Sequence, residues 1–261
     1  MKSDFPFLGS FGGFSFYKMR GSEKTIVRRK GGPSAEKMKT SKECEGSRKQ
    51  QTQFGGSSTA AKMIRAAMPS ITHLADFRIH SHFLKLNAAV QALDLVSKAG
   101  QRSLIFSRAL HLFEGVSLNR KATFDSVVIT PVVYAIHREE HKAVLQLPAL
   151  SPKFNFISPW NYPFYRFRIN LGIVRDMVFT EGHGYEPITP SFNDFPVSVD
   201  TEWAAVKIKT TAQQVELQLD NPVFDEHCNL VLSIGIELGS QSNGIIEHVP
   251  YAGCGKILAM G

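Results

Sequence analysis

The chain has 261 residues, 43% of them hydrophobic, and a formal net charge of +7. This length fits one large domain or two small ones, and the hydrophobic fraction is ordinary for a globular protein with a sizeable core. Because no run approaches about 20 apolar residues, the sequence excludes a membrane-spanning helix.

The N-terminus and the cysteines predict a compartment. The first residues contain no uninterrupted apolar stretch of the kind that a secretory signal needs, so we expect a cytoplasmic protein. The three cysteines, Cys44, Cys228 and Cys254, cannot all pair within one chain, and none belongs to a CxxC motif. This pattern predicts free thiols in a reducing environment.

Charge is segregated along the chain. Residues 1–65 contain 14 Lys/Arg and 5 Asp/Glu, whereas residues 121–261 contain 10 Lys/Arg and 15 Asp/Glu. A basic segment attached to an acidic body suits a polyanion such as nucleic acid, or an acidic patch on a neighbouring protein.

Residues 7–30 have the pattern of a β-hairpin. Residues 11–17 are rich in aromatic residues and glycine, a glycine-containing turn follows at 18–24, and β-branched residues resume at 25–27. An isolated hairpin is marginally stable in water, so this one is expected to pack on the chain or on another chain. Residues 31–56 are polar and bounded by glycines, which predicts a linker or flexible arm.

The middle of the chain has helical features. Ser57, Ser58 or Thr59 can cap a helix that runs to Met68, before Pro69, and leucines recur at roughly helical spacing as far as residue 98. Residues 102–113 fit a helix or a strand equally well. We therefore predict a helical segment over 57–120.

From about residue 121 the hydrophobic period changes to two. Apolar residues alternate with polar ones over 167–173, 204–208, 215–219 and 230–238, and turn signals separate these runs. Several short alternating strands favour an antiparallel β-sandwich, with a jelly roll as one variant. The predicted fold class is α+β, divided into a basic hairpin and arm over 1–56, a helical segment over 57–120 and a sandwich over 121–261.

The strongest candidate binding residues are N-terminal. Aromatic side chains on which bases could stack lie beside cations that could hold phosphates. The alternative is that the rings attach the hairpin to a core or to a neighbouring subunit, with the cations forming a solvated face. The candidate residues are Phe14, Phe16, Tyr17, Lys18, Arg20, Lys24, Arg28, Arg29, Lys30, Arg48 and Lys49.

Catalytic motifs are weaker. His137 and His141 complete the H-x-x-E-H pattern of some zinc proteases, which requires a helix. Strand-like sequences flank this motif, so we expect it on a hairpin turn. His183 lies between glycines in a loop, without an identifiable nucleophile. A β-sandwich hydrolase with a site near His137 and His141, or near His183, is the alternative hypothesis.

The N-terminal half resembles a known group of proteins. The similarity rests on Gly-Gly-Phe-Ser-Phe-Tyr at 12–17, Gly-Gly-Pro-Ser at 31–34, Gln-Phe-Gly at 53–55, Ala-Lys-Met-Ile-Arg at 61–65 and Gly-Val-Ser-Leu-Asn at 115–119. This order is similar to an uncharacterised Bacteroidota-type family that combines a basic hairpin, a helical segment and a β-sandwich. The resemblance implies this architecture and a bacterial origin, and it implies no activity.

Together these features predict a non-enzymatic binding or assembly protein. Its basic N-terminal segment would engage nucleic acid or an acidic protein surface, and its sandwich would form a homo-oligomer. Coat proteins of virions share the layout of basic arm and β-sandwich, so association with a virion is one setting for it. We expect no metal, no cofactor and no membrane partner.

Overall fold

The computed structural model of the protein describes residues 7–18, 24–29, 31–190, 195–220 and 222–261. The chain divides between Arg48 and Lys49 into two compact units. The architecture is mixed α+β with several antiparallel sheets, which confirms the predicted class at that level. The regions predicted as 57–120 and 121–261 both lie in the second unit.

A three-stranded antiparallel sheet forms the start of the chain. Its strands are β1 (Gly9–Phe11), β2 (Phe14–Lys18) and β3 (Thr25–Arg29), with β2 in the centre. The pairing of β2 with β3 confirms the predicted hairpin. Most of its turn, predicted over 18–24, lies outside the described residues.

Strand β1 is an addition that the sequence analysis did not predict. It pairs with β2 through a two-residue turn, Gly12-Gly13, with φ angles of 56° and 81°. A two-residue turn with both φ angles positive matches the twist of the flanking strands, and glycine adopts it without strain.

The helices occupy the first half of the chain. The α-helices are α1 (Ala35–Thr40), α2 (Glu45–Ala66), α3 (Ile79–Ala92) and α4 (Phe124–Val127). Short 3₁₀ turns lie at Lys42–Cys44, Thr72–Leu74, Phe106–Arg108 and Leu110–Leu112. None of the helices in the described part of the chain combines the length and the apolar character needed to cross a membrane.

Helix α2 differs from the sequence-based expectation. Residues 31–56 were expected to form a linker, with a helix starting at 57–59, but α1 lies within that stretch and α2 begins at Glu45. The buried stripe of α2 explains the difference, because it consists mainly of small residues that do not register as apolar. These residues are Gly56, Ser57, Ala60, Ala61 and Ile64.

The remainder of the chain is rich in β-structure. The strands are β4 (Val133–His137), β5 (Lys142–Leu147), β6 (Phe164–Arg175), β7 (Met177–Thr180), β8 (Gly184–Pro187), β9 (Val197–Asp200), β10 (Ala204–Ala205), β11 (Gln213–Gln218), β12 (Cys228–Ser242) and β13 (Ile245–Met260). A central sheet has the order β10-β6-β12-β13, with β9 also paired to β6. A second sheet has the order β11-β5-β4, and β7 pairs with β8.

The period-two prediction is largely confirmed. The runs over 167–173 and 230–238 lie in β6 and β12, and β11 covers most of 215–219. The run over 204–208 is strand only at Ala204–Ala205. The ambiguous stretch 102–113 forms two 3₁₀ turns and a single bridge from Leu104 to Met177.

Two apolar clusters lie on opposite faces of the central sheet. Ile173 and Leu230 face the cluster shared with β5 and β11, whereas their chain neighbours Val174 and Val231 face the cluster shared with α2 and α3. Alternate residues of a strand point to opposite sides, so both sides of this sheet are covered.

Candidate functional site

The N-terminal sheet sorts its side chains onto two faces. Residues that pair directly across antiparallel strands point to the same side, as do residues two apart in one strand. One side, here called the aromatic face, carries Phe11, Phe14, Phe16, Lys18, Thr25, Val27 and Arg29. The opposite face carries Ser10, Ser15, Tyr17, Ile26 and Arg28.

The aromatic face is largely exposed. Phe11 is 77% exposed, Phe14 43% and Val27 53%. Phe16 is half-buried, and the ring of Phe7 meets it edge-on with a centroid separation of 5.7 Å. Exposed aromatic and aliphatic side chains grouped on one face make that face a candidate binding surface.

Positive charge accompanies these rings. Arg29 is the cross-strand partner of Phe14, and Lys18 lies at the other end of β2, so both cations belong to the aromatic face. Arg28 is exposed on the opposite face, and Lys24 immediately precedes β3. The three strands contain no Asp or Glu, so the positive charge of the sheet is not neutralised by its own strands.

The structure brings together most of the predicted binding residues. Phe14, Phe16, Tyr17, Lys18, Arg28 and Arg29 lie on β2 and β3, although Tyr17 and Arg28 point away from the aromatic face. Arg20 and Lys30 lie outside the described residues. Phe11, which was not among the candidates, joins the site because the Gly12-Gly13 turn places it beside Phe14.

Arg48 and Lys49 lie on α2 rather than on these strands. The Arg48 Nη1 atom donates to the carbonyl oxygens of Met38 and Ser41, both at 2.8 Å. These bonds pair with carbonyl oxygens at the C-terminal end of α1, so the guanidinium has a structural role. Lys49 belongs to the second unit, where its backbone packs against Gly100.

The H-x-x-E-H motif lies on the turn between β4 and β5, as expected. His137 ends β4, and His141 has a left-handed φ of 51° with its ring 4.8 Å from that of Phe224. This placement lacks the helix that would point both imidazoles at one metal ion. Within the described ranges, no group of three or more His, Cys, Asp or Glu residues could hold a metal.

His183 lies in the turn between β7 and β8, and its side chain is 70% exposed. Its Nδ1 atom lies 3.8 Å from a carboxylate oxygen of Glu186, which is also largely exposed. An exposed pair at this distance orients the imidazole weakly, in contrast to the firmly held base of a catalytic site.

A buried thiol lies beside a buried cation in the second unit. The Sγ atom of Cys228 is 2.8 Å from Arg175 Nη1 and 3.3 Å from an oxygen of Asp225. Burial raises the pKa of this thiol, with the nearby Asp225 carboxylate acting in the same direction. A neutral thiol is a poor nucleophile, so this cluster is suited to structure and not to covalent catalysis.

The central sheet contains a buried ion-pair network that the sequence analysis did not identify. Glu237 is 1% exposed and receives Arg166 Nη2 at 2.7 Å, Arg168 Nη1 at 3.3 Å and His73 Nε2 at 2.8 Å. Asp200 binds Arg168 through two nitrogens, both at 2.9 Å. The sequence contains one acidic residue in the apolar run 230–238 and two arginines at alternate positions of 164–175, and the strand register places Arg166 opposite Glu237 and Arg168 opposite Gly235.

Electrostatics identify this network as structural. Burial alone would raise the pKa of the Glu237 carboxyl, but hydrogen bonds from His73 and Arg166, together with the charge of Arg168, hold it at about 2. The two guanidinium groups are balanced by two carboxylates, so the network offers no excess charge to an anion or a cation.

No protein-family model matches the chain, and neither curated proteins nor solved structures provide a match. The resemblance to the Bacteroidota-type family therefore stays a prediction.

Proposed function

We propose that the protein is a non-enzymatic nucleic-acid-binding protein that uses its N-terminal sheet as the binding surface. The observation that carries the proposal is the aromatic face, on which exposed phenylalanines lie beside cations in strands without acidic residues. Nucleic acid offers both complements at once, because its bases stack on aromatic rings and its phosphates pair with Lys and Arg.

An acidic protein surface is a less complete match for the same face. Carboxylates would pair with Arg29 but would leave the exposed rings of Phe11 and Phe14 without a function. The strongly basic composition of residues 1–65 favours a long polyanion over a compact acidic patch.

The β-rich unit has an assembly role in this proposal. The central sheet and the β11-β5-β4 sheet share one apolar cluster, and we interpret them as two layers of a β-sandwich that packs against other copies. Light scattering across a concentration series tests this part. A homo-oligomer is expected, and a strict monomer at high concentration, with and without nucleic acid, would contradict it.

Binding is tested by fluorescence anisotropy with labelled 20-nucleotide DNA and RNA over a salt series. The full-length double variant Arg28→Gln and Arg29→Gln removes two exposed cations of β3. Arg29 lies on the aromatic face and Arg28 on the opposite one, so the loss of one phosphate contact is expected. The slope of log affinity against log salt for a single strand should then fall by about 0.7 in magnitude.

The matched control is Lys207→Gln with Lys209→Gln, which removes two exposed charges, two residues apart, from the second unit. This control should bind with the affinity and salt slope of the wild type. Absence of binding by the wild-type protein at low salt, or equal losses in both double variants, would refute the proposed function.

A further inference from the structure

We infer that the aromatic face selects single-stranded nucleic acid by stacking bases on Phe11 and Phe14. This inference rests on the proposed function and adds the form of the ligand to it. It follows from the arrangement of the rings, from the open space around them and from the position of the cations.

The three rings form a row that runs from Phe11 across to Phe14 and then along β2 to Phe16. Phe11 and Phe14 are direct cross-strand partners, so their Cβ atoms are separated by about 4.5–5.5 Å. Phe16 follows two residues along β2, about 7 Å further on and on the same side. Rings grouped on one side of a sheet can stack with successive bases of a nucleic-acid strand, provided that those bases are not already stacked on each other.

The approach to the row is open at one end. The turn that joins Phe11 to Phe14 consists of Gly12 and Gly13, and a Cβ atom placed on either glycine would meet no atom within 4 Å. No side chain of the turn therefore shields the two exposed rings. Phe11 is 77% exposed and Phe14 43%, so each ring presents area that a base can cover.

Two cations lie beside the row. Arg29 stands across from Phe14, and Lys18 stands two residues beyond Phe16 on β2. The phosphates of a strand whose bases lie on the rings would pass close to these side chains. In a duplex the base faces are occupied by neighbouring bases, so the rings would contact only the backbone or the groove edges.

The test measures the affinity of the protein for three labelled ligands. These are a 20-mer of thymidylate, an abasic 20-mer and a blunt 20-base-pair duplex, all with the same number of phosphates per strand. Each stacked base contributes a factor of about 5 to 150 in affinity. Wild-type protein should therefore bind the thymidylate strand at least about 5-fold more tightly than the abasic strand, and more tightly than the duplex.

The key variant is Phe11→Leu with Phe14→Leu, which keeps apolar side chains but removes the aromatic rings. It should lose the preference for thymidylate over the abasic strand while still binding the abasic strand. Phe11→Tyr with Phe14→Tyr keeps the rings and should keep the preference. Phe154→Leu, at a phenylalanine 81% exposed in the second unit, should behave as the wild type.

The outcomes separate the two proposals. If the wild-type protein binds none of the three ligands, the proposed function is overturned and this inference with it. Equal affinity for the thymidylate and abasic strands, or tighter binding of the duplex, overturns base stacking. Either result leaves nucleic-acid binding itself in place.

Discussion

The N-terminal sheet and the central sheet place arginines on similar strands and use them in opposite ways. In the central sheet, Arg166 and Arg168 alternate with aromatic and aliphatic residues, are 22–23% exposed and face Glu237 and Asp200. In the N-terminal sheet, the arginines of β3 are exposed and no strand supplies a carboxylate. The comparison shows that the neighbouring strands, and not the strand itself, decide whether an arginine is paired with a carboxylate inside its own sheet.

The largest loss of unfolding free energy is expected from Glu237→Gln. This change keeps the shape of the side chain but leaves two partly buried guanidinium groups without their shared carboxylate. Breaking a buried ion pair by removing one partner costs about 3–5 kcal/mol of unfolding free energy. Urea unfolding followed by circular dichroism measures the loss.

The control for this change is Glu216→Gln. Glu216 is 49% exposed and pairs with Lys142 at 2.8 Å, so its loss should cost less than about 1 kcal/mol. Equal losses at both positions would show that the central network is no stronger than a surface pair.

The second expectation concerns pH. Because the folded-state pKa of Glu237 is about 2 and its ordinary value is 4.5, its contribution to stability is present above pH 4.5 and is lost as the pH falls towards 2. Most of the stability difference between wild type and Glu237→Gln should therefore disappear across this window. Unfolding curves at intervals from pH 7 to pH 2 test this, and a constant difference would contradict the assignment.

Smaller changes in stability are expected from alanine substitutions at two adjacent glycines of α2, Gly55 and Gly56. A Cβ atom on Gly56 would lie 2.6 Å from the ring of Tyr185, whereas one on Gly55 would meet nothing within 4 Å. Gly56→Ala should cost about 1–3 kcal/mol through overpacking. Gly55→Ala should stabilise the protein by about 0.5–1 kcal/mol through helix propensity, and thermal unfolding distinguishes the two signs.

The smallest effect completes the comparison of the two sheets. The double change Arg28→Gln and Arg29→Gln, although expected to weaken nucleic-acid binding, should alter unfolding free energy by no more than about 0.5 kcal/mol. Urea unfolding of this variant beside Glu237→Gln provides the direct contrast. A loss of several kcal/mol would place these arginines in a structural network instead.

Local pattern predicted much of the fold. Alternation over 167–173 and 230–238 identified β6 and β12, and the aromatic and β-branched runs near the N-terminus identified β2 and β3. Helix α2 was partly missed because its buried stripe of Gly, Ser and Ala gives almost no hydrophobic signal. Its small residues are explained by close packing, as the contact of Gly56 with Tyr185 shows.

The candidate site was predicted in composition but not in arrangement. The sequence alone determined that rings and cations are concentrated in 7–30 and that a β-rich region follows, because these depend on residue type and period. Only the tertiary structure decided that Phe11 joins Phe14 on one face, that Arg48 holds α1, and that Glu237 is paired within the sheet. These outcomes depend on strand register and on contacts between residues far apart in the chain, which no local pattern contains.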